Sequence, residues 1–318
     1  MPLYPEINEV KTYSVKVDSP HTLYVEECGN PDGIPVIFLH GGPGSGCNAN
    51  HRRYFNPEKY RIVLFDQRGC GRSLPHGCLD ENTTQHLIDD IETIRKKLNI
   101  NQWVVFAGSW GVTLALLYAQ QFKQHVLGMI LRGAFLASKR DMDWFFTDGV
   151  CRLFPELWQR FSTSLPKLND KETLLQTYHR CLFANDRELN TKAALAWSEW
   201  TDSIVTWKLP KSDDAPTDDI DKLIRKVQLE VHYAINKYFL EENHLLNNIA
   251  KIKDIPTYLV HGRRDITCPV ESSWLIHNSL AGSSLRILPD AGHLAEEPDM
   301  VEALVNASDD VIALLEKH

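Results

Sequence analysis

Ser109 is the residue of this sequence best placed to act as a nucleophile. An apolar, strand-like run (103–107) ends at the segment GSWG (108–111), and a helix-like run (112–120) begins at once. This order predicts a tight strand-to-helix turn that lifts the serine hydroxyl above the sheet edge, beside the free N–H groups of a helix N-terminus. Position 107, where such turns typically carry another glycine, is Ala107. Because a serine between glycines is more often an ordinary loop residue, the motif alone does not decide its role.

A second segment, HGGPG (40–44), is typical of a loop that approaches a ligand closely. It follows the apolar run 36–39, and its glycines allow the backbone to come near a bound group. We expect the backbone N–H groups of Gly42 and Trp110 to form an oxyanion hole, which a serine hydrolase needs. The alternative interpretation of HGGPG is a glycine-rich surface turn.

Asp265 and His293 are the predicted partners of Ser109. Asp265 ends the segment HGRRD (261–265) after the apolar run 257–260, and His293 ends an AGH segment near the end of the chain. The order Ser, Asp, His is that of the α/β-hydrolases and differs from the order in other serine hydrolases. In this interpretation His293 takes the proton of Ser109, and Asp265 orients the imidazole. Separately, Asp265 is also explained as a turn residue and His293 as one of 13 ordinary histidines.

Taken together, these segments resemble the proline iminopeptidase (prolyl aminopeptidase) family. The resemblance is carried by HGGPG, DQRGCGRS (66–73) and GSWG, and it extends to HTLYVEECGNPDG (21–33), LRGAFL (131–136) and FLEENHLL (239–246). It implies a serine aminopeptidase that releases N-terminal proline from peptides through an acyl-enzyme, without a cofactor or a metal. The alternative is an esterase or amidase of the same fold that acts on a small substrate without a free amine.

The resemblance also implies which residues bind the free amine of the substrate. Glu230 matches one glutamate of the family, and Arg132 matches an arginine near the sheet. A second family glutamate follows a W-S-x-W motif, but here the residue after WSEW is Thr201. Glu199 or Asp202 is the candidate substitute, and a changed specificity is the other interpretation. Without the resemblance, Glu230 is equally well explained as a solvated charge on a helix.

Composition narrows the class of protein. The chain has 318 residues, of which 43% are hydrophobic, so it can bury a sizeable core. The net charge is −8 without a basic cluster, which argues against nucleic acid as a partner. No apolar run approaches the ~20 residues that span a bilayer, and the first residues lack the apolar core of a signal peptide. Seven cysteines without a C-x-x-C pair predict reduced thiols and a cytoplasmic location.

Alternating strand and helix patterns predict an α/β-hydrolase fold, with a mostly parallel sheet covered by helices on both faces. Eight strand-like runs are recognised, at 12–17, 22–28, 36–39, 62–65, 103–107, 126–131, 257–260 and 284–288. The first two are predicted to pair antiparallel. A helix is predicted over 84–98, beginning at a threonine cap.

The alternation stops in the middle of the chain, which predicts an inserted domain. We expect a helical cap domain at 137–246, and a catalytic domain made of 1–136 and 247–318. The cap sequence holds five of the eight tryptophans, at 144, 158, 197, 200 and 207, and most of these are expected to form its core. The segment 208–221, with two prolines and five aspartates, is predicted to be an exposed loop.

Overall fold

One sheet of eight strands organises the computed structural model, which describes residues 2–207 and 219–317. The strands are β1 (Glu9–Lys16), β2 (Thr22–Gly29), β3 (Ile34–Leu39), β4 (Tyr60–Phe65), β5 (Trp103–Gly108), β6 (Val126–Arg132), β7 (Thr257–Gly262) and β8 (Ser283–Leu288). Their order in the sheet is β1-β2-β4-β3-β5-β6-β7-β8. β1 pairs antiparallel with β2, and β2 with β4, whereas all other neighbours are parallel. Each predicted strand is therefore present.

Ten α-helices connect and cover these strands in the described part of the chain. They are α1 (Thr84–Lys97), α2 (Trp110–Gln121), α3 (Lys139–Phe146), α4 (Pro155–Thr163), α5 (Leu174–Leu182), α6 (Arg187–Thr206), α7 (Ile220–Ile235), α8 (His244–Asn247), α9 (Glu271–Ser279) and α10 (Pro298–Leu315). Short 3-10 helices lie at Ala49–Tyr54, Lys123–His125, Val150–Arg152, Lys237–Phe239 and Ile249–Ile252. Within residues 2–207 and 219–317, no helix has both the length and the apolar character needed to cross a bilayer.

The sheet is buried on both faces, as the continuous apolar runs predict. In β3, Ile37 and Leu39 pack on the side of α1, α2 and α9, whereas Val36 and Phe38 pack on the side of α10. Successive side chains of a strand point to opposite faces, so a strand covered on both sides is apolar at every position. The predicted architecture, a mostly parallel sheet with helices on both faces, is confirmed.

α1 begins at Thr84, the first residue of the predicted helix, and ends at Lys97, one residue before the predicted end, but its cap differs from the prediction. The N-cap is Thr83, and its side chain makes no capping hydrogen bond. Its hydroxyl lies 2.9 Å from Nδ1 of His86 instead. Thr84 is the first helical residue, and its hydroxyl donates to the carbonyl of Tyr238, 2.5 Å away. A tertiary contact thus uses the threonine that the sequence pattern assigned to a cap.

Between β6 and β7, the described residues form α3 to α8 and three of the 3-10 helices, and no strand. An aromatic cluster holds α3 to α7 together. Trp197 and Trp200 of α6 are buried in it, and Trp144 and Trp158 pack against it. Trp207 is different, because 48% of it is exposed and its ring N–H donates to the carbonyl of Arg264. Residues 208–218 of the predicted exposed loop lie outside the described residues.

Helix α7 joins the helical insertion to the sheet. Its Leu229 and Tyr233 belong to the core cluster beneath the sheet face, and the Tyr233 hydroxyl donates to Oδ1 of Asn82 at 2.7 Å. Leu229 also lies against Gly44 of the HGGPG loop, where a Cβ would come within 2.8 Å of its methyl group. Any functional residue on α7 is therefore held at a fixed height above the strand ends.

Candidate active site

Ser109 occupies a strained turn between β5 and α2. Its backbone angles are φ 57° and ψ −125°, a region that non-glycine residues avoid, and its N–H donates to the carbonyl of Arg132 at 2.9 Å. Little room is left for a side chain on either side of this turn. A Cβ at Gly111 would lie 2.2 Å from the carbonyl of Leu39, and one at Gly108 would meet the Arg132 guanidinium at 2.4 Å. The turn therefore holds the serine at the carboxyl end of the sheet.

Asp265 and His293 lie at the same edge of the sheet, after β7 and β8. Nδ1 of His293 is 2.7 Å from Oδ2 of Asp265. The other carboxylate oxygen accepts the backbone N–H groups of Thr267 and Cys268, at 3.0 and 2.8 Å. Gly133, after β6, leaves room for the pair, because a Cβ there would lie 3.2 Å from the carboxylate and 3.4 Å from the imidazole. The carboxylate is thus fixed on one side and faces the imidazole on the other.

The charge of Asp265 is stabilised although the side chain is fully buried. Burial by itself raises the pKa of a carboxyl group. Here the charge and hydrogen bonds of His293, together with those of His261, outweigh burial and hold the pKa of Asp265 below its ordinary value. Asp265 is therefore ionised at neutral pH, and it favours the imidazole tautomer whose proton is on Nδ1.

The HGGPG loop lies beside the serine. A Cβ at Gly41 would come within 3.2 Å of Cβ of Ser109, and Gly42 has a φ of 113°, which favours glycine. Trp110 is the first residue of α2, so its N–H has no partner within the helix. The predicted donors, Gly42 and Trp110, thus flank the serine from two different elements.

Gln67 connects these two elements and was not recognised in the sequence. Its side-chain carbonyl accepts the ring N–H of Trp110 at 3.1 Å, and its amide donates to the carbonyl of His40 at 2.9 Å. The backbone N–H of Gln67 also donates to Nε2 of His40. Through Gln67, the segment DQRGCGRS therefore links the serine turn to the HGGPG loop by hydrogen bonds. The one signal in the sequence that could have found Gln67 is the resemblance of the segment DQRGCGRS to a known family.

Arg132 lies next to His293. Its Nη1 donates to the backbone carbonyl of His293 at 2.7 Å and is 3.4 Å from Nε2 of the same residue. The guanidinium also lines the cavity described next. Its hydrogen bond to this carbonyl fixes the position of the loop that carries His293. Its contact with substrate stays a prediction.

A cavity of about 430 Å³ separates the strand ends from the helical insertion. Its walls come from both parts: Gly41, Gly42, Ser45, Ser109, Arg132, Cys268 and His293 on the sheet side, and Met142, Phe145, Phe146, Trp197, Thr201, Asp202, Lys226 and Glu230 on the other side. The volume lies in the range of pockets that bind small molecules. Within the described residues, no group of three or more acidic, histidine or cysteine side chains is arranged to hold a metal ion.

Glu230 faces this cavity from α7 as a mostly buried carboxylate. Its Oε2 accepts the ring N–H of Trp197 at 2.7 Å, and its Oε1 is 3.5 Å from Nζ of Lys226. Burial raises the pKa of Glu230, and the Lys226 charge and the Trp197 hydrogen bond offset part of the rise. Such a carboxylate binds a cation strongly, because little water competes for it.

The structure does not bring Glu199 to this cavity. Trp197 and Thr201 are four residues apart on α6 and face the same way, whereas Glu199 lies between them and points elsewhere. Its carboxylate is 3.2 Å from the guanidinium of Arg160. Asp202 does line the cavity, and its carboxylate accepts the hydroxyl of Ser198 at 2.6 Å.

Two cysteines stand close in the sequence to motif residues, Cys268 three residues after Asp265 and Cys70 within DQRGCGRS, and the structure places them differently. Cys268 lines the cavity beside Ser109, whose hydroxyl interacts with the thiol. Cys70 lies behind the HGGPG loop, where its thiol donates to the carbonyl of Gln67 at 3.1 Å. Both side chains are buried, and burial raises the pKa of each thiol.

Comparison with known proteins gives a consistent assignment. Residues 34–297 match the model of a family described by its alpha/beta hydrolase fold. A proline iminopeptidase of Arabidopsis thaliana is 43% identical over 98% of this chain and 83% of its own length. A proline iminopeptidase of Xanthomonas citri is 44% identical over 96% of this chain and 98% of its own. One from Neisseria meningitidis serogroup B is 42% identical, covering 94% and 95% of the two chains.

Solved structures show the same fold in more distant proteins. A putative aryl esterase from Burkholderia cenocepacia superposes with a TM-score of 0.62 at 17% identity, covering 96% of this chain and 100% of the other. A structure from work on carboxylesterases of Nitrososphaera gargenis gives a TM-score of 0.59 at 16% identity, covering 96% and 98%. At these identities the likeness shows the fold alone.

Proposed function

This chain belongs to the proline iminopeptidase family of the α/β-hydrolases, and we propose on that basis that it is a serine aminopeptidase releasing N-terminal proline from peptides. One structural observation supports the proposal independently of the sequence similarity. Ser109 and His293 share a single cavity with Glu230, a buried carboxylate held by Trp197 on the opposite wall. A hydrolytic site that faces a buried anion suits a substrate with a positive charge next to its scissile bond.

In the proposed reaction Ser109 attacks the carbonyl carbon of the N-terminal proline, and His293 takes the hydroxyl proton on Nε2. The negative oxygen of the tetrahedral intermediate is stabilised by the N–H groups of Gly42 and Trp110. Asp265 stabilises the imidazolium. The carbon–nitrogen bond then breaks, and His293 returns the proton to the leaving amine.

The prolyl ester of Ser109 is then hydrolysed by the same groups. Water attacks the ester carbonyl, His293 takes a proton from that water, and the serine oxygen leaves with the proton. The products are free proline and the shortened peptide.

Selection for a free N-terminus rests on Glu230 in this proposal. The secondary ammonium of proline carries two N–H donors, which a desolvated carboxylate satisfies well. An N-acylated proline brings no charge and leaves that carboxylate unpaired, which is strongly unfavourable in a buried site. The aromatic side chains of the cavity wall, Phe145, Phe146 and Trp197, block longer N-terminal extensions. Arg132 keeps the histidine loop in place and is proposed to border the substrate.

The proposal also assigns roles to whole segments. Residues 137–246 form the cap domain that supplies Glu230, and residues 1–136 and 247–318 form the catalytic domain. A cytoplasmic location is part of the proposal, and the free state of all seven cysteines supports it, since reduced thiols are typical of that compartment.

Labelling with a fluorophosphonate tests the nucleophile. The wild-type protein is expected to take up one equivalent, and Ser109→Ala none, together with a loss of prolyl amide hydrolysis of several orders of magnitude. Ser45→Ala is the matched control, because this serine also lines the cavity and its variant should still be labelled at Ser109. Full labelling of Ser109→Ala would show that the nucleophile is another residue.

A further inference from the structure

Glu230 already has a cationic neighbour in the free protein. Lys226 lies one turn earlier on α7, and its ammonium is 3.5 Å from Oε1 of Glu230. The other oxygen, Oε2, is taken by the ring N–H of Trp197 at 2.7 Å. Lys226 lines the same cavity as Glu230. The carboxylate oxygen available to a substrate ammonium is therefore the one that an ammonium of the chain itself approaches.

A second carboxylate stands nearby for Lys226. Asp202 lines the cavity from α6, the helix that packs against α7. The negative charge of Glu230 raises the pKa of Lys226 most strongly, and that of Asp202 adds to it despite partial burial. Lys226 is thus fully charged at neutral pH. Thr201, the neighbour of Asp202 on α6, also lines the cavity but is neutral. Of these two α6 residues, Asp202 alone therefore brings a carboxylate to the cavity wall.

Two ammonium groups cannot share one buried carboxylate oxygen without strong repulsion. Lysine has a flexible four-carbon stem, and the Lys226 side chain is 38% exposed, which leaves it free to change rotamer. Glu230, in contrast, is fixed by Trp197 and by the anchored helix α7. When a substrate ammonium binds Glu230, the lysine is the group able to move.

We propose that Lys226 is a displaceable counterion of Glu230, which occupies the amine subsite in the free enzyme and moves toward Asp202 when substrate binds. This inference rests on the proposed function. It makes Lys226 a specificity-determining residue. The lysine neutralises a buried carboxylate between turnovers, and it competes with the substrate ammonium, so it weakens the preference for substrates with a free amine.

Paired substrates measure this competition. Prolyl anilide carries the ring ammonium, and cyclopentanecarbonyl anilide has a carbon in its place with the same leaving group. At pH 8, Lys226→Met should lower KM for prolyl anilide about tenfold with little change in kcat, because one like charge is removed from the subsite. The ratio of kcat/KM between the two substrates should rise to the same extent. Lys222→Met, one turn earlier on α7 and exposed, is the matched control and should leave this ratio unchanged.

A double-mutant cycle tests the movement toward Asp202. Asp202→Asn should raise KM for prolyl anilide several-fold in the wild-type background, because the displaced ammonium loses its new partner. In the Lys226→Met background the same substitution should have no effect. If Asp202→Asn raises KM equally in both backgrounds, Asp202 contacts the substrate directly and the displacement is overturned.

The outcomes separate this inference from the proposed function. A wild-type enzyme that does not prefer prolyl over cyclopentanecarbonyl anilide contradicts the proposed function itself. A wild-type preference that Lys226→Met leaves unchanged or reduces overturns the role given to Lys226 alone. If Lys226→Met fails to show a cooperative thermal transition, Lys226→Gln provides the same measurement with a polar side chain.

Discussion

Thr201 occupies the position at which the family resemblance predicts a glutamate, so the cavity wall lacks a carboxylate there. It faces the cavity one turn after Trp197, which holds Glu230. Thr201→Glu should lower KM for prolyl anilide about fivefold, because a second carboxylate then shares the positive charge. Steady-state kinetics checks this, with Glu199→Gln as the control whose KM should stay at the wild-type value. An unchanged KM in Thr201→Glu would place the amine away from α6.

Cys268 provides a chemical test of the cavity wall. Because it lines the cavity beside Ser109, a small thiol reagent such as methyl methanethiosulfonate should block the site by modifying it. Burial raises the pKa of this thiol, so the thiolate is scarce at neutral pH and inactivation should be slow there and accelerate as pH rises. Cys268→Ala should resist the reagent, whereas Cys70→Ala should be inactivated like the wild type. Equal inactivation of Cys268→Ala would exclude this route.

Among elements, the turn between β5 and α2 is the most constrained. Gly111→Ala would push a Cβ to 2.2 Å from the carbonyl of Leu39, so β3 and α2 must separate. We expect a loss of about 1–3 kcal/mol in the free energy of unfolding, and a larger proportional loss of kcat because the Ser109 turn shifts. Chemical denaturation and kinetics measure the two effects.

Gly282→Ala is the control for this prediction. Its Cβ would meet no atom closer than 3.8 Å, and stability should change by less than about 1 kcal/mol. A Gly111→Ala variant as stable and active as Gly282→Ala would show that the turn tolerates a side chain, contrary to the packing seen here.

The elements were largely predictable from the sequence because their burial is regular. A parallel strand covered on both faces must be apolar throughout, and this pattern marked β3 to β7 correctly. The cap of α1 was not predictable, because Thr83 and Thr84 have the same propensity and a distant carbonyl, that of Tyr238, decides their roles. Likewise, no local pattern indicates that Gln67 bridges Trp110 and His40, since the three residues meet only after the sheet has formed.

The positions of the motif residues were predictable from the sequence, whereas the contacts around Glu230 were not. Motifs at strand ends predicted where Ser109, Asp265 and His293 lie along the sheet edge, since carboxyl ends of parallel strands share one edge. The neighbours of Glu230 were not predictable in this way. Lys226 is an ordinary basic residue on an amphipathic helix until the fold places it over the cavity, and Glu199 and Asp202 are indistinguishable by type. Only the direction in which α6 faces separates them.

The buried carboxylate of Glu230 should lower the stability of the folded protein. A carboxyl with a raised pKa in the folded state binds its proton more tightly there than in the unfolded chain. Stability is therefore higher below the unfolded pKa and falls as pH rises through the folded pKa. Glu230→Gln should raise Tm by about 2–4 °C at pH 8, and this gain should vanish near pH 4.

Differential scanning calorimetry at the two pH values measures this effect. Glu199→Gln, which removes a partly exposed carboxylate on the same insertion, should change Tm little at either pH. A lower Tm for Glu230→Gln at pH 8 would show that the pair with Lys226 stabilises the fold more than burial destabilises it.

In the proposed function, Glu230 makes hydrolysis depend on a free N-terminal amine. Comparing kcat/KM for prolyl anilide with that for N-acetylprolyl anilide, in the wild type and in Glu230→Gln, tests this dependence. We expect the wild type to prefer prolyl anilide by up to ~10⁴-fold, with the neutral Thr201 limiting this preference. Glu230→Gln should lose most of the preference, because its hydrolysis of the free amine substrate falls. Equal hydrolysis of both substrates by the wild type, or equal losses on both in Glu230→Gln, would contradict it and favour an esterase or amidase without amine selection.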